Sequence, residues 1–439
     1  MMRRLIIFPL LLSLGACGIF GGDDEDRTPT IGNRLSVLPG EAAIEADPAL
    51  ASTQITLPPA ARNNDWGQPG GSATKATGHL ALADSPSQAW SSQIGTGSDG
   101  AAYLVATPVI DGERIYTIDT KSEIRAFDTN NGAQIWSATL TKEGEKERAA
   151  FGGGVSTFAG RVYATSGYGI VAAFDAGTGR EIWRKDLGIP LRGSPTIAES
   201  RLLVMTQDNQ LIALNPVDGE REWEVIGTIE PAGLLGAASP AVAQGTAIIG
   251  FSSGELTAVR IENGRTVWQD ALARTGRSTS LAALSDIDAP PVIQDGWVFA
   301  IGHGGRMVAV DLNTGERVWE QSLAGVTSPV VAGEWLFAVT LKGELVAVSR
   351  ADGRLRWVSQ LPAYRNMEKR KNPISYRGPI LAGDRLWVTS SEGDLIAASP
   401  YDGSVQTVIE AGKTFYLPPV VAGGTLYLLS EDGRLSAWR

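Results

Sequence analysis

The sequence predicts an all-β protein, an eight-bladed β-propeller of four-stranded antiparallel blades. Three observations support this prediction. A turn of the form Asp-x-x-x-Gly, followed by Trp, recurs along the chain; short strands with alternating apolar residues separate the turns; and one isolated Trp strand precedes the first complete repeat. Strand repeats with a period near 40 residues are typical of propellers and related arrays.

The clearest copy of the turn lies between Val310 and Trp319. Asp311 is placed to cap the turn backbone, as Asp does in Asx turns. Gly315 supplies the positive φ that a bulged hairpin requires, and Trp319 offers a large apolar face to a neighbouring blade. The last copy of the turn has Thr407 in the Trp position. The turn glycines recur every 38 to 51 residues, at Gly132, Gly179, Gly219, Gly264, Gly315, Gly353 and Gly403.

The two ends of the repeat array predict how the ring closes. Counting the first strands of the repeats, most of which begin with Pro, indicates eight blades, whereas counting the Trp strands indicates seven. The last repeat ends at Trp438 without a fourth strand, and Trp90 lies 46 residues before Trp136 with no strands of its own blade ahead of it. We therefore expect the N-terminal strand around Trp90 to complete the C-terminal blade, which protects the strand edges.

The N-terminal region predicts export and lipidation. Residues 1–16 combine Arg3 and Arg4 with an apolar stretch too short to span a bilayer, as in a signal peptide. The segment ends at Cys17, the only cysteine, and resembles a bacterial lipobox, which implies an acylated Cys17. Residues 17–85 are predicted to be a flexible tether because they are acidic and poor in apolar side chains. Trp66 is the one docking residue expected within it, and the propeller is expected at 86–439.

Composition argues against several classes of function. The net charge is −10 and no basic stripe is present, so we do not expect a nucleic-acid partner. His79 and His303 are far apart in the sequence and there is no His/Cys cluster, so neither a metal nor another cofactor is expected. The most basic stretch is the loop at 361–377, for which a solvated insertion is the simpler interpretation.

The repeated turn resembles that of the quinoprotein (PQQ) dehydrogenases, in which the repeat builds the scaffold and other residues bind the quinone. Alcohol-oxidising members carry a vicinal Cys pair, which this sequence lacks. This resemblance implies the propeller fold and leaves a periplasmic PQQ-dependent dehydrogenase as an alternative function. An envelope polysaccharide-binding propeller is a second alternative.

The loop Ser285-Asp286-Ile287-Asp288 resembles the Ser-Asp-Val-Asp loop of the BamB family, the propeller lipoproteins of the outer-membrane β-barrel assembly machinery. Carboxylates at i and i+2 of an extended segment face the same way. The resemblance implies that Asp286 and Asp288 lie at a surface that binds BamA, the barrel subunit with periplasmic POTRA domains. The preceding blades are expected to add exposed leucines and an arginine to this partner-binding surface, at Leu191, Arg192, Leu234 and Leu235.

Lipobox, repeats and this loop together favour a non-catalytic scaffold rather than an enzyme. The resemblance implies a lipid-anchored protein of the outer membrane that faces the periplasm. Its implied partners are a BamA-like subunit, the other assembly-machinery lipoproteins and nascent outer-membrane proteins, whose folding and insertion it would aid. Cys17 would attach it to the membrane.

Overall fold

The computed structural model describes residues 44–100, 102–142, 144, 152–229, 238–272 and 285–439. These residues form eight four-stranded antiparallel sheets and a separate two-stranded hairpin. The predicted eight-bladed propeller is therefore confirmed.

The strands follow the chain blade by blade, from the inner strand to the outer one. Blades 1 and 2 contain β2 (Val109–Asp111), β3 (Arg114–Ile118), β4 (Glu123–Asp128), β5 (Gln134–Thr139), β6 (Gly153–Phe158), β7 (Arg161–Ser166), β8 (Ile170–Asp175) and β9 (Glu181–Asp186). Blades 3 and 4 contain β10 (Thr196–Ala198), β11 (Arg201–Met205), β12 (Gln210–Leu214), β13 (Arg221–Ile226), β14 (Ala241–Ala243), β15 (Thr246–Gly250), β16 (Glu255–Arg260) and β17 (Thr266–Ala271).

Blades 5 and 6 contain β18 (Val292–Gln294), β19 (Trp297–Ile301), β20 (Met307–Asp311), β21 (Arg317–Gln321), β22 (Val330–Ala332), β23 (Trp335–Val339), β24 (Glu344–Ser349) and β25 (Leu355–Gln360). The hairpin β26 (Tyr364–Asn366) and β27 (Lys371–Pro373) follows. Blade 7 contains β28 (Tyr376–Ala382), β29 (Arg385–Ser390), β30 (Asp394–Ala398) and β31 (Val405–Glu410). Blade 8 contains β32 (Val420–Ala422), β33 (Thr425–Leu429), β34 (Arg434–Trp438) and β1 (Gln88–Gln93).

The turn between β20 and β21 has the predicted geometry. Asp311 Oδ1 accepts hydrogen bonds from the backbone N–H groups of Asn313 and Thr314 at 2.9 and 2.8 Å. These bonds, together with that from the Thr314 hydroxyl, lower the pKa of Asp311. Gly315 has a φ of 74°, and the pairing of β20 with β21 shifts by one residue between Ala309 and Val310. The bulged hairpin is therefore confirmed.

The outer-strand tryptophans join neighbouring blades. Trp319 of blade 5 donates its Nε1–H to the Arg350 carbonyl of blade 6 at 2.7 Å, and a Cβ placed on Gly353 would lie 2.7 Å from the Trp319 ring. Each turn glycine thus permits the preceding tryptophan to pack against the next blade. The equivalent donor–carbonyl pairs are Trp90–Thr129, Trp136–Ala176, Trp183–Pro216, Trp223–Ile261, Trp268–Leu312 and Trp357–Pro400.

The closure of the ring is confirmed and explains the missing tryptophan. Strand β1 pairs with β34, and Ser87 and Arg439 exchange backbone hydrogen bonds of 2.7 and 2.9 Å. Because β1 does not follow β34 in the chain, blade 8 has no turn between its last two strands. Blade 7 therefore faces no turn glycine, and a Trp at Thr407 would lack the packing partner that the other copies have.

Residues 44–85 do not form the predicted flexible tether, because they belong to the same compact unit as the blades. A short 3₁₀ helix spans Pro48–Leu50, and Ile55 is buried against the inner strand of blade 6. Trp66, predicted to dock on the propeller, is buried and exchanges backbone hydrogen bonds with Ile110 of β2.

Residues 63–80, which we call the plug segment, run round the central channel along the inner strands of the blades. The inner strand of each blade has an edge that no strand of its own sheet covers, and the plug segment supplies partners for seven of these edges. Its contacts with blades 8, 1, 2, 3, 4, 5 and 7 are Asn63–Gly423, Trp66–Ile110, Gly67–Thr157, Gln68–Ile197, Ala73–Val242, Thr74–Ile293 and Leu80–Leu381. The plug segment has few apolar residues to bury, so these hydrogen bonds with the inner strands are what hold it in place.

The predicted signal peptide and Cys17 lie outside the described residues. Across the part of the chain that the structure describes, no helix has the length and apolar character needed to cross a bilayer.

Candidate partner interface and central cavity

Three of the predicted partner-binding residues meet at the loops that precede the inner strands. Arg192 lies before β10 of blade 3, and Asp286 and Asp288 lie before β18 of blade 5. Arg192 Nη2 is 3.8 Å from Asp286 Oδ1 and 3.6 Å from Asp288 Oδ1. Both carboxylates therefore face the same cation, as their i, i+2 spacing predicts. We call these three residues the Arg–Asp cluster.

The Arg–Asp cluster is largely internal. The side chains of Asp286 and Asp288 are only 1% and 9% exposed, so the expectation of two accessible surface carboxylates is wrong. Burial, and next the charge of Asp286, raise the pKa of Asp288 to about 6, against the opposing effects of Arg192 and Arg377. Burial also lowers the pKa of Arg377. Little of the cluster therefore reaches the surface.

The expectation of an exposed leucine at 191 is also wrong. Leu191 is 0% exposed and belongs to the core between blades 2 and 3. Its backbone pairs with Thr206 in an isolated bridge. Leu234 and Leu235 lie outside the described residues, so their partner-binding role stays a prediction.

Two exposed isoleucines that sequence reasoning missed lie next to this region. Ile226 at the end of β13 is 62% exposed and Ile229 is 68% exposed. Asn209 connects them to the cluster, since its Oδ1 accepts from Arg192 at 3.4 Å and its Nδ2 donates to the Thr228 carbonyl at 2.7 Å. The period-two alternation of β13, in which Trp223 faces the core, indicates that Ile226 points outward.

A cavity of about 560 Å³ lies in the central channel, beside the Arg–Asp cluster. The plug segment contributes Trp66, Lys75 and Thr77 to its wall, and the starts of the inner strands contribute proline-rich segments such as Pro418–Val420. His303, expected in a surface turn, also lines the cavity, and its backbone N–H donates to the Asp286 carbonyl at 2.9 Å.

Within the described ranges, no group of three or more His, Cys, Asp or Glu side chains is arranged to hold a metal ion. The titratable side chains that line the cavity are Lys75, Tyr103, Asp288, His303, Arg377 and Tyr416.

The chain matches the family model described as outer membrane protein assembly factor BamB over residues 120–359, more than half of its length. It is 31% identical over 246 residues to BamB of Yersinia pestis and 29% identical over 244 residues to BamB of Escherichia coli K12. Each alignment covers 55% of this chain and 62% of the relative. The chain thus spans less than two thirds of the length of these curated relatives.

Two solved structures share the fold. The crystal structure of BamB from Moraxella catarrhalis superposes with a TM-score of 0.69 at 18% identity, covering 81% of this chain and 99% of that one. The quinohemoprotein alcohol dehydrogenase of Comamonas testosteroni superposes with a TM-score of 0.65 at 13% identity, covering 86% and 81%. At these identities the likeness extends to the propeller and not to a shared activity.

Proposed function

Because the chain belongs to the BamB family of outer membrane protein assembly factors, we propose that it is a non-catalytic scaffold lipoprotein of the β-barrel assembly machinery. It binds the POTRA region of a BamA-like subunit and aids the folding and insertion of nascent outer-membrane proteins, beside the other lipoproteins of the machinery. Acylated Cys17 holds it at the outer membrane, facing the periplasm.

The observation that carries this proposal is the family match. The matched residues 120–359 contain Arg192, Asp286 and Asp288, so they include the loops whose sequence resembles the partner-binding loops of the family. The ring gives these loops a rigid base, since neighbouring blades are joined by tryptophan packing and backbone hydrogen bonds. Functional loops on rigid scaffolds are a common arrangement in binding proteins.

The partner contact is built from an apolar surface beside a buried polar cluster. Ile226 and Ile229 supply exposed apolar area, Leu234 and Leu235 follow them in the sequence, and the Arg–Asp cluster holds the adjoining loops in place. Exposed apolar groups beside polar ones are typical of the core and rim of protein interfaces. In this arrangement the aspartates act mainly by positioning the loops rather than by direct contact.

Co-purification from detergent-solubilised membranes tests the proposed surface. The tagged wild type is compared with a chain that carries Ile226→Asp and Ile229→Asp, which changes exposed side chains only. The matched control carries Val405→Asp and Val408→Asp on the outer strand of blade 7, where both valines are also exposed. We expect the first pair to reduce recovery of the BamA-like subunit at least tenfold and the control pair to leave it unchanged.

Equal recovery with both double variants would refute the surface. Recovery of no BamA-like subunit by the wild type would refute the scaffold function itself. The enzymatic alternative is tested by a dye-linked oxidation assay with added pyrroloquinoline quinone. Turnover that depends on the quinone would replace the scaffold proposal.

A further inference from the structure

The central cavity has the size and lining of a small-molecule site. Its volume of about 560 Å³ falls within the range of roughly 300–1,000 Å³ that is usual for such sites. Most of its wall is apolar, from prolines, valines and leucines at the starts of the inner strands, and the plug segment adds a few polar groups. The partner contact proposed above requires no ligand in this cavity.

Lys75 of the plug segment is a buried cation in the wall of this cavity. It is 2% exposed, and its Nζ lies 3.2 Å from Thr196 Oγ1. The Thr196 hydroxyl donates to the Pro240 carbonyl at 2.8 Å, so its oxygen accepts from Lys75. Among the described residues no carboxylate lies within ion-pair distance of Lys75, and burial alone lowers its pKa to about 7.

Other buried polar groups of the cavity wall also lack partners among the described residues. The Trp66 Nε1–H has no acceptor, and the hydroxyls of Thr77 and Thr107 have no hydrogen-bond partner. The three residues line the same cavity as Lys75. An indole N–H can only donate and a hydroxyl can donate, so these groups call for a ligand that supplies acceptor oxygens.

The acidic side chain of the cavity wall does not serve as the partner of Lys75. Asp288 lies 3.6 Å from Arg192 Nη2, and the charge of Arg377 also favours its ionised form. Its charge is therefore balanced within the Arg–Asp cluster and by Arg377. Among the described residues, in contrast, no charged neighbour affects the pKa of Lys75, which burial alone lowers.

We propose that the central cavity binds a small organic acid, whose carboxylate pairs with Lys75 and whose apolar body lies against the proline-rich wall. The carboxylate supplies the anion that the described residues do not provide. Pairing requires the ammonium form of Lys75, so binding above neutral pH takes up a proton. A neutral molecule of the same shape gains only the apolar contact.

Isothermal titration calorimetry with 2-naphthoate and with the uncharged 2-naphthamide tests this proposal. On the full-length wild type at pH 7, we expect 2-naphthoate to bind about tenfold or more tightly than the amide, the discrimination expected of one charge-assisted hydrogen bond. At pH 8, titrations in buffers of different ionisation enthalpy are expected to show close to one proton taken up per bound naphthoate.

Lys75→Met, which removes the amino group and keeps most of the length of the unbranched apolar stem, identifies the group responsible. We expect the variant to bind both compounds equally and to take up no proton. Lys371→Met at an exposed position of the β26–β27 hairpin is the matched control and is expected to behave as the wild type. Equal affinity of the wild type for the two compounds, or no binding of 2-naphthoate, overturns the proposal even if Lys75→Met fails to fold.

Discussion

Replacing Trp319 by Ala removes one of the contacts that join the blades. The side chain is buried between blades 5 and 6, where it donates to the Arg350 carbonyl and packs against Gly353. Its ring also lies 6.2 Å from that of Phe299 within blade 5. The substitution therefore deletes a contact within the blade and a contact between two blades.

The expected loss follows from the buried area and the hydrogen bond. Burial of roughly 200 Å² of apolar surface at about 25 cal/mol per Å² stabilises the fold by about 5 kcal/mol before entropy is subtracted. The lost hydrogen bond contributes about 1 kcal/mol, and buried Trp→Ala changes cost about 3–5 kcal/mol in practice. We expect the free energy of unfolding to fall by about 3–5 kcal/mol.

Urea unfolding followed by far-UV circular dichroism measures this loss. Val318→Ala is the matched control, since Val318 is the adjacent residue and points to solvent, and we expect it to change stability by less than about 0.5 kcal/mol. Trp319→Phe keeps most of the apolar area but loses the hydrogen bond, so we expect its loss of stability to lie between those of Val318→Ala and Trp319→Ala. A loss below about 1 kcal/mol for Trp319→Ala would show that tryptophan packing does not hold the blades together.

Two further predictions concern stability. Gly315→Ala places a Cβ 2.5 Å from Cγ of Trp268 at a φ of 74°, whereas Gly296→Ala has a φ of 80° with no atom within 4 Å. We expect Gly315→Ala to cost about 1–3 kcal/mol more than Gly296→Ala in the same urea assay, and equal losses would contradict the close approach between blades. Lys75→Met is expected to raise stability, because the folded-state pKa of Lys75, about 7, lies below its ordinary value of 10.5. Between pH 7 and pH 10.5 Lys75 is protonated in the unfolded chain but mostly neutral in the folded one. The cost of burying the protonated amine is about 5 kcal/mol, from about 1.4 kcal/mol per pKa unit. This cost to the free energy of unfolding is complete below pH 7 and disappears as the pH rises toward 10.5. Melting temperatures of Lys75→Met and the wild type at pH 6 and pH 10 measure this cost. If the variant is more stable by the same amount at both pH values, titration of Lys75 is excluded as the cause.

Much of the ring could be predicted from local sequence. The Asp-x-x-x-Gly turn carries its own geometry, because Asp311 caps the backbone and Gly315 takes the positive φ without help from distant residues. The sequence has eight inner strands but only seven Trp strands after them, and Trp90 stands alone before the first blade. The last blade therefore had to be completed by the N-terminal strand around Trp90. That closure also accounts for Thr407 in the Trp position of the last copy, since no turn between β34 and β1 is present for a Trp to pack against.

The site was predicted less well, because burial of a loop depends on the blades beside it. Leu191 has the composition of an interface residue but fills the core between blades 2 and 3. Asp286 and Asp288 face the same way, as predicted, yet the cation that they face comes from a loop almost 100 residues earlier in the sequence. Ile226 was detectable from the alternation along β13, but Ile229 lies beyond the end of that strand, and only the structure shows both isoleucines exposed beside Asn209 and the cluster.

By itself, the sequence determined the number of blades, their four-stranded pattern and the closure by β1, since each depends on short-range periodicity or on counting. Only the tertiary structure decided the course of residues 44–85. Their composition favours disorder, but the inner strands present unpaired backbone groups that the plug segment satisfies. The same long-range pairing buries Lys75 in the channel. The residues next to Lys75 in the sequence do not predict this burial, nor that no carboxylate lies within ion-pair distance among the described residues.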